Sequence, residues 1–195
     1  MNKIHIPKII RGLIFDCDGT LVDSMPLHME AWNAAFREHN KYYNEDFLFS
    51  LKGMKEIEII DLYNKKFDTN LEPQKMVNAK HKYFIANINS VKPIEQIVQI
   101  AKLYHDKLPL AVVSGSVSKI VNLELKALGI LNLFKIILTA DAPYKPKPSP
   151  DIFLAAASIL KLDPKFCLVF EDGDAGLKAA SEAGMKTIDI RNYIE

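Results

Sequence analysis

Two aspartates stand two residues apart directly after an apolar segment near the start of the chain. The segment 9–15 reads IIRGLIF and is followed by DCDGT at residues 16–20. Such an apolar run predicts a buried strand, and burying two unpaired carboxylates is too costly for both to lie in a core. At the carboxyl end of a parallel strand, Asp16 and Asp18 could hold a divalent cation beside a ligand. The simpler alternative is a strand that ends in an acidic turn.

Three more segments with polar side chains follow apolar runs later in the chain. Hydroxyl and backbone N–H groups in the tripeptide 114–116, Ser-Gly-Ser, could bind an anion at the start of a helix, although this tripeptide is also a common turn and N-cap. The prolines around Lys147 restrict the backbone and hold that lysine in place, or leave it solvated on a rigid loop. Glu171 and Asp172 again end an apolar run, and carboxylates suit Mg²⁺.

The elements that would position these residues alternate between strands and helices. Apolar runs of strand length occur at 9–15, 110–113, 136–139, 167–170 and 187–190. They are continuous, as is typical of parallel strands covered on both faces. Helical periodicity lies between them, at 94–104, 117–128, 150–160 and 175–183. This alternation predicts an α/β fold with a doubly wound parallel sheet of the Rossmann type.

One block interrupts the alternation. Residues 23–90 contain only helical patterns, at 26–39, 55–67 and 72–88, with Pro26 and Pro73 suited to first helical turns. We expect a core domain formed by residues 1–22 and 91–195, and an inserted all-helical cap subdomain formed by residues 23–90. Hinges near residues 23–25 and 90–93 would let the cap close. The alternative is a helical layer fixed to the sheet.

Composition favours an ordinary globular protein. The 195 residues are 49% hydrophobic and 25% charged, with a net charge of +1, so nothing indicates a nucleic-acid or membrane partner. No apolar stretch reaches the roughly 18–20 residues of a transmembrane helix, and the first residues lack the pattern of a secretory signal. Cys17 and Cys167 lie in apolar runs and are expected to be reduced. We therefore predict a cytoplasmic protein, and we expect a monomer.

The segment DCDGT resembles the first motif of the haloacid dehalogenase superfamily. Ser114, Lys147 in the order Lys-Pro-x-Pro-Asp, and the pair Glu171-Asp172 are similar to its later motifs, and the resemblance covers essentially the whole chain. It implies that Asp16 is a nucleophile that takes up a phosphoryl group and that Asp18 is the general acid and base. Ser114 and Lys147 complete the implied catalytic set. Gly173 departs from the common Glu-Asp-Ser pattern and removes one hydroxyl.

The resemblance also implies a cofactor and a set of binding residues. Mg²⁺ would be held by Asp16, Asp18, Glu171 and Asp172, with Asp18 contributing its backbone carbonyl. The expected substrate-binding residues are Thr20, His28, Lys52, Gly53, Gly115 and Ser116. Two of these keep an ordinary alternative, since His28 shares an apolar helical stripe and could be a core histidine, and Lys52 could be a surface lysine.

The implied activity is that of a Mg²⁺-dependent phosphatase of small sugar phosphates, similar to bacterial fructose-1-phosphatase-like enzymes. The alternative is a phosphosugar mutase of the beta-phosphoglucomutase type. That mutase uses an arginine for its second phosphate where this chain has Glu56, whose negative charge is expected to repel a bisphosphate. A phosphorylated receiver module would lack both the helical insertion and the second aspartate. A binding protein on an inactive hydrolase scaffold is disfavoured because the four motif residues Asp16, Asp18, Lys147 and Asp172 are present.

Overall fold

A computed structural model of the chain describes residues 4–51 and 54–194. It divides into two compact units, one formed by residues up to 23 and from 91 onwards, and the other by residues 24–90. The predicted substrate-binding residues Lys52 and Gly53 lie outside the described residues. Among the helices that are described, none is long and apolar enough to cross a membrane.

The first unit is built on a five-stranded parallel sheet. Its strands are β1 (Gly12–Phe15), β4 (Leu110–Val113), β5 (Ile136–Leu138), β6 (Cys167–Glu171) and β7 (Lys186–Asp189), in the order β5-β4-β1-β6-β7. Two further short strands, β2 (Val22–Asp23) and β3 (Lys92–Pro93), pair with each other in antiparallel orientation. The predicted doubly wound parallel sheet is confirmed, with β1 at its centre.

Helices connect the strands of this unit. They are α5 (Glu95–Tyr104), α6 (Ser118–Ala127), α7 (Asp151–Leu160) and α8 (Asp174–Glu182), with short 3-10 turns at Leu131–Leu133, Pro164–Phe166 and Ile190–Asn192. Helices α7 and α8 pack on one face, where Ile152, Phe153 and Ala179 meet strand residues such as Ile14 and Val169. Alternate residues of the same strands face the other way, and Phe15 stacks there on Phe170 with ring centroids 4.7 Å apart.

The second unit is all-helical. It contains α1 (Met25–Glu38), α2 (Glu45–Ser50), α3 (Glu56–Phe67) and α4 (Pro73–Ala86), followed by a 3-10 turn at Ile88–Ser90. Its apolar core includes Trp32, Phe36, Ile60, Tyr63 and Met76. Pro26 and Pro73 do lie in the first turns of α1 and α4, where proline costs no intrahelical hydrogen bond.

Two parts of this architecture were absent from the sequence prediction. Helix α2 has only six residues, which is too few for a helical period to show in the sequence. The feature that marks its start is the N-cap residue Asn44, whose side chain accepts a hydrogen bond from Phe47 N at 2.9 Å. The β2–β3 pair spans two residues on each side, so the expectation of no strand near Asp23 was wrong. That pairing depends on two segments about seventy residues apart in sequence, which no local pattern reveals.

Candidate active site

The predicted catalytic residues of the first unit meet at the carboxyl edge of its sheet. Asp16 follows the central strand β1, and its N–H donates to the Phe170 carbonyl at 3.0 Å. Ser114 follows β4, and Glu171 ends β6, the two strands that flank β1. Neighbouring parallel strands bring their carboxyl ends to one edge, which is where ligands bind in open α/β sheets.

A tight turn carries the chain away from β1. The carbonyl of Cys17 accepts hydrogen bonds from the N–H groups of Thr20, Leu21 and Val22 at 2.9–3.2 Å. Gly19 has a φ of 83°, a left-handed conformation that glycine adopts at little cost. This turn separates the two aspartates of the motif, so that Asp16 stays against β6 while Asp18 contacts the loop after β4.

Lys147 joins two of the predicted acids. Its Nζ donates to Asp16 Oδ1 at 2.7 Å and to Glu171 Oε1 at 2.6 Å. The Asp16 and Glu171 residues are only 6% and 3% exposed, so these carboxylates are buried but paired. The alternative of a solvated lysine on a rigid loop is therefore wrong for Lys147. The pairing with Lys147 also explains how Asp16 can be buried, because only the burial of unpaired carboxylates is too costly.

The charges at this edge shift the pKa values of the ion pair. Burial lowers the pKa of Lys147, but the carboxylates of Asp16 and Glu171 outweigh burial and hold the pKa above its ordinary value. Burial raises the pKa of Asp16 well above its ordinary value, Lys147 opposes this, and Glu171 and Asp172 raise it further. Positive charge close to Asp16, such as that of Lys147, therefore favours the ionised form of this carboxyl.

The acidic residues at this edge fit a divalent cation. One carboxylate oxygen from each of Asp16, Glu171 and Asp172 lies within 4.8 Å of the other two. Three carboxylates beside the single ammonium group of Lys147 leave an excess of negative charge, which a hard cation with oxygen ligands would balance. Asp172 is oriented by Thr20, a fully buried residue whose Oγ1 donates to Asp172 Oδ1 at 3.1 Å.

Asp18 has a separate set of contacts. Its Oδ2 accepts a hydrogen bond from Ser116 Oγ at 2.6 Å, and Ser116 N donates to Ser114 Oγ at 3.0 Å. The predicted residues Ser114 and Ser116 therefore lie beside the proposed acid and base. Gly115 between them is exposed. Helix α6 begins at Ser118, whose N–H donates to the Asp141 carboxylate at 2.9 Å, so the tripeptide 114–116 lies just before the helix.

One buried carboxyl beside Asp18 was not predicted. Glu124 of α6 is 0% exposed, and its Oε2 accepts a hydrogen bond from Cys17 Sγ at 3.6 Å. Burial, together with the adjacent Asp18 carboxylate, raises the pKa of Glu124 to about 10. Among the described residues, Oε1 of Glu124 has no hydrogen-bond partner. The sequence feature that could have indicated this buried carboxyl is a charged residue at helical spacing among the apolar residues Ile120, Val121 and Leu125.

The remaining predicted binding residue, His28, belongs to the helical unit. It is half-buried on α1, and its ring stacks on Phe84 with centroids 4.4 Å apart. Cys17 and Cys167 are both buried free thiols, as predicted.

Comparison with known proteins gives the class of protein to which this chain belongs. The chain matches the family model of the haloacid dehalogenase-like hydrolases over residues 13–190 and belongs to that family. The predicted resemblance is confirmed.

Characterised relatives include phosphatases and a mutase. The chain is 34% identical over 181 residues to the fructose-1-phosphate phosphatase YqaB of Escherichia coli, covering 92% of this chain and 96% of that protein. It is 29% identical over 193 residues to the beta-phosphoglucomutase of Bacillus subtilis, covering 93% and 83%. A crystal structure of CbbY from Rhodobacter sphaeroides in complex with phosphate superposes with a TM-score of 0.79 at 25% identity, covering 91% and 84%. The predicted enzyme class, a phosphoric monoester hydrolase, is confirmed.

Proposed function

We propose that this protein is a Mg²⁺-dependent sugar phosphate phosphatase that hydrolyses small phosphomonoesters such as fructose 1-phosphate through an aspartyl-phosphate on Asp16. The observation that carries the proposal is the pairing of Asp16 with Lys147 inside the carboxylate cluster. The relatives add the substrate class, since one is a fructose-1-phosphate phosphatase and another, from Thermotoga maritima, a phosphorylated carbohydrates phosphatase at 27% identity.

The proposed reaction has two steps. In the first, an Asp16 carboxylate oxygen attacks phosphorus, the bond from phosphorus to the sugar oxygen breaks, and Asp18 gives that oxygen a proton. In the second, Asp18 takes a proton from water as the water oxygen bonds to phosphorus and the bond to Asp16 breaks, releasing inorganic phosphate. The hydrogen bond from Ser116 to Asp18 supports this role because it restrains the proton-transferring carboxylate.

The residues proposed to hold the cation are Asp16, Glu171, Asp172 and the backbone carbonyl of Asp18. When bound, Mg²⁺ supplies positive charge that offsets the repulsion between Asp16 and the substrate phosphate. Lys147 contributes to the same balance through its contacts with Asp16 and Glu171, and Ser114 is proposed to bind the transferred phosphate. His28, Lys52 and Gly53 remain predicted substrate contacts, and a cap that closes over the substrate remains a prediction.

The contacts of Glu56 bear on the mutase alternative. Glu56 does not act as an uncompensated negative charge, because its carboxylate pairs with both Lys80 and His81 of α4. These contacts weaken the expectation that the charge of Glu56 repels a bisphosphate, which stays a prediction. The phosphatase is still favoured for two reasons. Both carboxylate oxygens of Glu56 are occupied by contacts that link α3 to α4. The identity of the chain to YqaB also exceeds its identity to the mutase. Monomeric state, cytoplasmic location and the absence of nucleic-acid or membrane partners remain predictions.

Phosphate release from a panel of sugar monophosphates tests the proposal. With Mg²⁺ we expect release from fructose 1-phosphate and related esters, loss of activity in excess EDTA, and recovery when Mg²⁺ is restored. Asp16→Asn measured in parallel excludes a contaminating phosphatase. Full activity in chelator would rule out the metal assignment, and no release from any phosphorylated sugar would rule out the substrate class.

A further inference from the structure

Two carboxylates of the proposed cation site occupy space that exists only because a neighbouring residue is glycine. A Cβ atom added at Gly176 would overlap Oε1 and Cδ of Glu171 and lie 2.8 Å from its Cγ. A Cβ added at Gly19 would overlap the carboxylate of Asp172 in the same way. Real Cβ atoms essentially never approach heavy atoms closer than 3.0 Å, so either addition would force the carboxylate or the backbone to move.

Gly176 has no conformational reason to be glycine. It lies in the first turn of α8, and it is not among the positive-φ residues, in contrast to Gly19 at 83°. Helices favour alanine over glycine, because glycine loses more backbone freedom on folding. The neighbouring helix positions 175, 179 and 180 are all alanine. The absence of a methyl group at 176 therefore works against helix formation and needs another explanation.

The Glu171 carboxylate cannot move away from Gly176 without losing contacts. Its Oε1 accepts from Lys147 Nζ at 2.6 Å, and its Oε2 accepts from Gly173 N at 2.7 Å. The side chain is almost fully buried, so no solvated position is open to it. Lys147 also binds Asp16, which means that a displacement of Glu171 would be passed to the proposed nucleophile.

We propose that Gly176 is a positioning residue: by carrying no side chain it leaves the volume in which the Glu171 carboxylate sits against Lys147 and within reach of a shared cation. The cation part of this inference rests on the proposed function, whereas the steric part does not. A residue that supports a metal ligand typically changes metal affinity about 10–100-fold when mutated.

The test uses Gly176→Ala in two backgrounds, the natural protein and Glu171→Ala. In the natural background we expect the substitution to lower the urea midpoint of the metal-free protein. We also expect it to weaken Mg²⁺ affinity by about tenfold or more, measured by calorimetry without substrate. In the Glu171→Ala background the carboxylate is gone, so the same substitution should leave the midpoint unchanged or raise it. Gly173→Ala is the matched control, since its Cβ would meet Glu171 Oε2 at an ordinary 3.4 Å.

The outcomes separate the two proposals. Equal loss of midpoint in both backgrounds, unchanged Mg²⁺ affinity in Gly176→Ala, or an equal loss of affinity in Gly173→Ala would overturn the role of Gly176. If the natural protein itself binds no Mg²⁺, the proposed cofactor fails, and the comparison of urea midpoints in the two backgrounds still decides the steric claim.

Discussion

At the scale of single residues, the proposed chemistry depends on how the buried carboxylate of Asp16 is kept reactive. Burial and the neighbouring acids raise the pKa of Asp16, and Lys147 counters them by direct contact. Asp18 lies only two residues further on but contacts Ser116 instead. The same residue type therefore has two environments, one suited to a nucleophile and the other to a proton carrier.

Substituting each aspartate should separate the two roles. Asp16→Asn should retain the fold, because the amide has the same shape and removes one of three crowded carboxylates, but turnover should be abolished. Asp18→Asn should slow turnover by roughly 10²–10⁴ and let phosphorylated enzyme accumulate, visible by intact mass after acid quenching. If Asp16→Asn kept more than about a tenth of the activity, covalent catalysis by this residue would be excluded.

Sequence reasoning located most of the candidate site because its residues follow strands. Apolar runs mark the strands, and the parallel topology brings Asp16, Ser114 and Glu171 to one edge. Contacts between side chains from distant segments were not available in this way. Two examples are the contact of Glu124 with Cys17 and the close approach of Glu171 to Gly176. Both depend on how α6 and α8 pack on the sheet, which sequence periodicity does not specify.

At the scale of elements, ion pairs link two helices of the helical unit. Glu56, at the start of α3, bonds to Lys80 and His81 of α4, and the Lys80 ammonium lies over the Trp32 ring, 5.2 Å from its centroid. Burial raises the pKa of Glu56, but the hydrogen bonds and charges of His81 and Lys80 outweigh it and lower the pKa to about 2. The folded state therefore stabilises the ionised carboxylate.

These contacts of Glu56 predict a pH dependence of stability. Because the pKa falls from its ordinary 4.5 to about 2 on folding, the stabilisation is present above pH 4.5 and is lost as the pH falls towards 2. Relative to the natural protein, Glu56→Gln should lose roughly 1–3 kcal/mol of unfolding free energy at pH 7 and progressively less below pH 4.5, measured by urea titration.

The matched control is Glu58→Gln, which removes a carboxylate from an exposed position of the same helix. We expect it to change stability by a few tenths of a kcal/mol at most, with little dependence on pH. A Glu56→Gln effect that stays constant between pH 7 and pH 3, or that matches the effect of Glu58→Gln, would contradict the ion-pair account.

At the scale of the whole molecule, a parallel sheet carries the proposed reaction centre, and a helical insertion enters the chain between β2 and β3. The family match and the relative YqaB extend over nearly the full chain, so the insertion is part of what is shared. The phosphatase and mutase relatives both match more than nine-tenths of this chain, and the proposed function depends on the choice between them. A phosphatase must let water reach the phosphorylated aspartate, whereas a mutase must exclude water and return the phosphoryl group to the sugar.

Phosphorus NMR of the protein with Mg²⁺ and β-glucose 1-phosphate, without any bisphosphate activator, tests this choice most directly. Parallel spectra with fructose 1-phosphate report the expected hydrolysis, and Asp16→Asn provides the inactive reference. We expect inorganic phosphate to be the growing signal, and we expect no formation of glucose 6-phosphate at a comparable rate. Formation of glucose 6-phosphate faster than inorganic phosphate would contradict the phosphatase assignment and favour the mutase.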